Sequence, residues 1–184
     1  MNTTENIIVS GFYRYYLDWV GSNYSKNFSP ISLGSNIRTF EDEDWESLSK
    51  LFFRCFGGEA HINQFKKYSA LFKSLLFVYH EKDEIMGYCG YYLHRRKFNG
   101  QKKIIAVIYS IGTDSIHRKK GLASQLLVNT YSILKKYGVN ELYAMIHVDN
   151  IASQTLFRKN GFSFEGPIQH LYGDDAGFLV RKII

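Results

Sequence analysis

Cysteine is nearly missing from this chain: Cys55 and Cys89 are the only two in 184 residues. Both fall inside apolar segments and they form no C-x-x-C pair. A disulfide framework or a zinc site therefore has little basis, and two buried free thiols in a reducing compartment are expected. Proline is as scarce, at two residues, and no low-complexity tract occurs, which argues against long disordered linkers. No apolar run reaches the roughly 18–20 residues of a membrane span. The N-terminal stretch NIIVSGFYRYYLDWV is interrupted by Arg14 and Asp18, and no small-residue cleavage signal follows a basic start. A signal peptide is not expected. A cytoplasmic location, away from membranes, is expected.

What is present reads as one globular domain. The length suffices for a real core but not for two comfortable domains, and 45% hydrophobic with 22% charged residues is ordinary for such a chain. The net charge of +6 favours anionic partners in general, whether nucleic acid, membrane surface or a phosphorylated small molecule. Residues 1–35 are the least readable part and are taken as an N-terminal extension. The domain proper is expected over 36–184.

Within it, Ile37–Phe40 suggests a short strand. Asp42 and Asp44 open a helix in which Trp45, Leu48, Leu51, Phe52 and Cys55 recur at helical spacing, and Gly57-Gly58 stops it. Ile62, Phe65, Ser69 and Phe72 suggest a second helix. Strands are expected over 75–79 and 85–93 around the turn EKDE. HRRKFNGQKK reads as a polar connection holding Asn99-Gly100, a strong hairpin turn signal. IIAVIYSIG, 104–112, reads as a strand buried on both faces. A helix from Leu122 to Tyr137, a strand ELYAMIHV, a short helix capped by Asn150, and strands near 162–168 and 176–182 complete the order. The fold class is α/β (α+β) with a central mixed sheet flanked by helices.

One junction in that order carries chemistry. HRKKGLASQLL, 117–127, follows the buried strand and opens a helix. The first N–H groups of a helix have no internal partner and lie where its dipole is positive, so a diphosphate can take them. Gly121 and Ala123 lack bulk, which lets a phosphate approach the backbone. Arg118, Lys119 and Lys120 add charge. A solvated charge run explains the cations equally well. Neither a G-x-x-x-x-G-K-[ST] loop nor a G-x-G-x-x-G fingerprint is present.

A second motif, VDNIASQTLFRKNGF at 148–162, is explained on its own by an Asn cap, an amphipathic helix and a Gly stop. Together the two stretches resemble the GCN5-related N-acetyltransferase (GNAT) superfamily. Its pyrophosphate loop [QR]-x-x-G-x-[GA] is met by Arg118, Gly121 and Ala123. Its second signature N-x-x-[AS]-x-x-L-[YF]-x-x-x-G-F is met by Asn150, Ser153, Leu156, Phe157, Gly161 and Phe162. The spacing looks most like the ribosomal-protein N-terminal acetyltransferase branch.

The resemblance implies a splayed, mostly antiparallel sheet and an acyl-CoA in the cleft between strands 104–113 and 141–148. The backbone of Ile111, Gly112 and Thr113 would pair with the pantetheine arm. The turn from Arg118 through Leu122 and Ala123 to Ser124 would hold the pyrophosphate. Asn150 would touch the pantetheine, with Ser153 in the same motif and Phe157 beside the thioester sulfur. The cosubstrate implied is acetyl-CoA, with no metal. The reaction implied is direct attack by a primary amine, with backbone N–H groups at a strand bulge holding the oxyanion.

The sequence departs from the family where acid–base groups are expected. Many relatives carry tyrosine where Phe157 stands, the ribosomal-protein branch has glutamate where Met145 stands, and histone-type members have glutamate where Val107 stands. Tyr172, in HLYGDD, is the candidate catalytic residue, and His147 shares strand parity with Met145. Asp174 and Asp175 are candidates for attracting a cationic amine. The expected partners are acetyl-CoA and an amine: a small amine, an aminoglycoside-like molecule, or a protein N-terminus or lysine. Nucleic acid is not expected, because no RNA- or DNA-binding signature accompanies the charge. A homodimer is left open. A non-catalytic acyl-CoA-binding module is the competing reading.

Overall fold

The computed structural model describes residues 31–34, 36–57, 59–82, 84–98, 101–168 and 176–184, apart from the side chains of 59–61, 96–98 and 101. Among the described residues eight strands form one sheet: β1 (Ser32–Leu33), β2 (Ile37–Thr39), β3 (Leu76–Glu81), β4 (Glu84–Phe98), β5 (Gln101–Thr113), β6 (Val139–His147), β7 (Ser163–Ile168) and β8 (Gly177–Ile183). Their order is β1-β2-β3-β4-β5-β6-β8-β7. Every neighbouring pair is antiparallel except β5 and β6. This is the mixed, mostly antiparallel α/β sheet that the sequence predicts. β1 lies within the stretch read as an N-terminal extension and pairs with Ile37 and Arg38 of β2.

Among the described residues four helices flank the sheet: α1 (Trp45–Phe56), α2 (Glu59–Leu71), α3 (Leu122–Lys136) and α4 (Ile151–Lys159). α1 follows a 3-10 turn at Asp42–Asp44 whose capping box pairs Glu41 with Asp44. Arg38 holds Asp44 through both guanidinium nitrogens, at 2.5 and 2.7 Å. Leu48, Leu51 and Phe52 of α1 and Phe65 of α2 bury against Leu76, Val78 and Tyr88 on one face. Leu126, Leu127, Ile133 and Leu134 of α3 and Phe157 of α4 bury against Cys89, Tyr91, Ala106, Ile108 and Ala144 on the other.

Two sequence expectations need correction. HRRKFNGQKK is mostly strand: β4 runs to Phe98 and β5 starts at Gln101, paired Phe98 with Gln101 through Arg95 with Ile104. A cation-rich hairpin end lacks the apolar alternation by which a strand is read, and the two strands satisfy each other's backbone instead. The two thiols are also unequal. Cys89 is buried, but Cys55 is only half-buried, with its Sγ donating to the Thr113 carbonyl at 3.4 Å.

Candidate functional site

The site begins where β5 and β6 part. They run parallel only from Ile104 opposite Val139 to Ile108 opposite Ala144. Beyond that, β5 stays with β4 as far as Thr113, and β6 stays with β8 as far as His147. The β6-facing backbone edge of residues 109–113 is therefore left without a strand partner among the described residues, as an extended ligand paired there would require. The parting coincides with a bulge. Gly90 pairs with Ser110 and Tyr91 with Ile108, so Tyr109 is an extra residue on β5, and bulges bend and re-aim a strand.

The gap forms a cleft of about 410 Å³ that passes between the two faces of the sheet. On the α3/α4 side it is lined by Ile108, Ala144, Ile146 and Phe157, with Asn150 and Ser153 at the start of α4. On the α1/α2 side it is lined by Phe52, Phe56, Phe65, Tyr68, Tyr92, Val107, Tyr109 and Met145. The three positions where the family resemblance expects acid–base groups thus meet at one cleft, and all three are apolar. His147 also lines it. Its Nδ1 accepts the Asp149 N–H at 3.1 Å.

At the end of β5 the chain makes a 3-10 turn, Ser115–His117. Asp114 caps it, accepting from Ile116 N–H at 3.4 Å, and binds Arg54 of α1 at 2.5 Å. Asp114 is 2% exposed. Burial pushes its carboxyl up, but the Arg54 guanidinium and the Ile116 and Ser115 donors together bring it below the usual carboxylate value. The turn is thereby tied to the helix across the cleft.

The cationic segment then enters α3 through left-handed backbone: Lys119 at φ 63° and Gly121 at φ 82°. The first helical hydrogen bond is Gln125 N–H to the Gly121 carbonyl, at 2.9 Å. The N–H groups of Leu122, Ala123 and Ser124 precede it and have no place in the helical ladder. A Cβ built on Gly121 would meet nothing within 4 Å, so the turn is open at Gly121. Arg118, Lys119 and Lys120 are exposed around it. Leu122 is buried in the core, so only its backbone faces the turn. This cradle fits the diphosphate of an acyl-CoA.

The second motif follows the same logic. Asn150 caps α4, accepting from Ser153 N–H at 3.0 Å, and Asn160 at its end donates to Ser124 Oγ of α3 at 3.0 Å. Capping and cleft lining coexist at Asn150. Phe157 is 2% exposed and packs edge-on against Phe162, with ring centroids 4.8 Å apart. Gly112 packs against the Tyr88 ring, and Tyr88 Oη and Ser110 Oγ share a hydrogen bond of 2.8 Å. Ile111 and Thr113 are half-buried beside it. Tyr172, with Asp174 and Asp175, lies outside the described residues.

Sequence reasoning passed over Tyr109. Its phenol is buried beside Ser69 Oγ of α2, and the two hydroxyls are each other's polar neighbours, without a well-formed hydrogen bond among the described residues. Burial pushes the phenol far above its usual pKa, so it is neutral at any physiological pH. The resemblance implies a strand bulge, and only the strand register places it at Tyr109.

Comparison with known proteins follows the same lines. The family described as Acetyltransferase (GNAT) matches residues 44–162. No curated protein matches the chain. Among solved structures, Naa20 of Chaetomium thermophilum in complex with a bisubstrate analogue superposes at TM-score 0.68 with 17% identity, covering 82% of this chain and 87% of its own. Naa50 of Arabidopsis thaliana, solved with the bisubstrate analogue CoA-Ac-MVNAL, gives 0.65 and 17%, covering 80% and 97%. The ribosomal-protein-S18-alanine N-acetyltransferase of Escherichia coli gives 0.62 and 18%, covering 80% and 92%. At these identities the likeness is one of fold. Among the described residues no helix is long and apolar enough to cross a membrane, and no cluster of three or more His, Cys, Asp or Glu is placed to hold a metal.

Proposed function

The chain belongs to the GNAT family of acetyltransferases, and from that premise we propose that it moves an acetyl group from acetyl-CoA to a primary amine. The observation that carries this reading is the continuity of two features. The unpartnered edge of β5 at 109–113 leads directly into the open N–H groups at the start of α3, where Gly121 leaves room. The domain doing this work is 36–184.

Acetyl-CoA would supply an activated thioester, whose acyl carbon the neutral amine attacks as the C–S bond breaks and the thiol departs. The residues divide the remaining tasks. Backbone N–H groups of Leu122, Ala123 and Ser124 bind the pyrophosphate, with Arg118, Lys119 and Lys120 adding charge. Ile111, Gly112 and Thr113 offer backbone to the pantetheine amides, and Asn150 and Ser153 line the opposite wall. Phe157 lines the cleft and would exclude water from the thioester when acetyl-CoA is bound. The bulge at Tyr109 turns backbone donors toward the oxyanion. With Val107, Met145 and Phe157 apolar, proton transfer falls to Tyr172 or to water. General acid–base help is worth about 10²–10⁴-fold, so positioning alone still leaves a measurable rate.

The apolar character of those three positions favours one competing reading, a module that binds acyl-CoA without turning it over. Thiol release from acetyl-CoA across a panel of amines separates the two. Turnover that disappears in Gly121→Glu, together with CoA affinity and without loss of the circular dichroism spectrum, supports transfer at this site. A carboxylate there opposes the pyrophosphate in space and in charge. CoA affinity unchanged in a folded Gly121→Glu variant refutes the phosphate assignment.

A further inference from the structure

The α1/α2 wall of the cleft is built of aromatic rings stacked on one another. Phe65 stacks on Phe52 with centroids 4.2 Å apart and planes 15° apart, and on Trp45 at 6.2 Å and 24°. Tyr68 stacks on Tyr109 at 5.4 Å and 29°, and on Phe72 at 5.9 Å and 26°. A ring whose faces are taken by neighbouring rings has its edge to offer to a third group. Ring faces carry the negative part of the quadrupole and ring edges the positive part. A cation is held over a face, not at an edge. Phe65 and Tyr68 line the cleft together with Gln64 of α2; rings already stacked on neighbours leave little free face for a cation on this wall and still accept an apolar group. Phe56, 46% exposed and 5.0 Å from Phe52, extends the same wall to the mouth.

We infer that the acceptor is a primary amine whose neighbouring substituent is bulky and apolar, seated against the edges of Phe65 and Tyr68. This rests on the acetyl-transfer reading above and narrows it, since a polycationic acceptor of the aminoglycoside kind does not suit that wall. A free arylalkylamine and the N-terminus of a polypeptide with an apolar first residue share this chemistry.

The full chain loaded with CoA is titrated calorimetrically with 2-phenylethylamine, with a short peptide beginning with Leu, with spermidine and with an aminoglycoside. The same amines then enter the thiol-release assay with acetyl-CoA. The expected result is that an apolar amine binds at least about tenfold more tightly than either polycation, the scale on which an apolar pocket discriminates. Which apolar amine binds better separates the small molecule from the chain terminus. A polycation that binds as well or better overturns the inference, and so does the failure of both apolar amines to bind. Apolar binding without thiol release shows that the wall holds an apolar amine but overturns acetyl transfer, and with it the amine's role as acceptor. Phe56→Glu, at an exposed position that leaves folding intact by circular dichroism, should weaken the apolar amine by about tenfold or more; unchanged binding also overturns the inference.

Discussion

Replacing Gly90 by alanine tests the cleft wall by adding a single methyl group. Gly90 is not in the left-handed region, so its backbone admits alanine, and the obstacle is steric. The new Cβ would sit 2.4 Å from Tyr109 Cζ, 2.5 Å from its Oη and 2.6 Å from its Cε1. Carbon atoms in contact prefer about 3.5–4.0 Å, so the ring must retreat by roughly 1 Å or more. It cannot do so freely. Tyr68 stacks on it at 5.4 Å and is itself backed by Phe72 at 5.9 Å. Overpacking of this kind costs about 1–3 kcal/mol, or a fall in Tm of about 2–4 °C per kcal/mol for a chain of this size. Because Tyr109 is the bulge residue, a shift of that size should also lower kcat/KM on the best acceptor, by about 10²-fold. CoA affinity should not change, since the proposed CoA turn at 118–124 lies away from this contact. The assay is urea unfolding of Gly90→Ala, Tyr109→Ala and the double variant. Tyr109→Ala removes the obstructing ring, so adding Gly90→Ala to it should cost almost nothing. The coupling energy should then match the whole single-variant cost. Equal costs of Gly90→Ala with and without the Tyr109 ring would refute the reasoning.

Three further outcomes are expected. Phe157→Tyr should keep CoA affinity and should not slow thiol release, because the position lines the cleft; a large loss of turnover with binding intact would show that a hydroxyl is not tolerated there. Tyr172→Phe should lower kcat and flatten its alkaline limb if the phenol donates a proton, or raise the acceptor KM if it only contacts the amine; matching wild-type constants would return the proton to water. Arg54→Ala should destabilise by about 1 kcal/mol, a charge-assisted hydrogen bond discounted for the exposure of Arg54. Asp114 is held below its unfolded value, so that contribution is present above about pH 4 and fades as pH falls through the lower folded value. The stability gap between wild type and Arg54→Ala should therefore close in acid; a gap independent of pH would contradict the pairing.

What the sequence could reveal follows from how each feature is encoded. The helices read well because Leu48, Leu51 and Phe52, or Leu126, Ile133 and Leu134, are core residues at helical spacing. The turn at 118–124 is legible as a strand-to-helix junction because small residues and cations there are a local pattern. The hairpin end failed because Arg95 to Lys103 lacks apolar alternation, and only pairing across the turn makes it strand. The aromatic wall was invisible for a different reason. Phe52, Phe65, Tyr68 and Tyr109 are distant in sequence, each reads as an ordinary core residue, and their stacking exists only after α1 and α2 fold onto the sheet. The bulge is a matter of register, which depends on the partner strand.

The short parallel contact between β5 and β6 has a consequence for how the molecule comes apart. On one side lie five strands joined in antiparallel sequence, and on the other a three-stranded unit of β6, β8 and β7. Between them the registered pairs run only from Ile104 and Val139 to Ile108 and Ala144. Antiparallel neighbours joined by short connections form local contacts early, whereas the seam must wait for the chain to cross over through α3. Each ribbon is then a natural cooperative unit, and the seam is the line along which partial opening is cheapest. Amide hydrogens of β5 beyond Ile108 should exchange ahead of those within the seam, and a ligand lying across both ribbons should slow exchange in both together. An extended cosubstrate in that gap is a rung of the sheet as much as a substrate, and its departure would return the two halves to independent breathing.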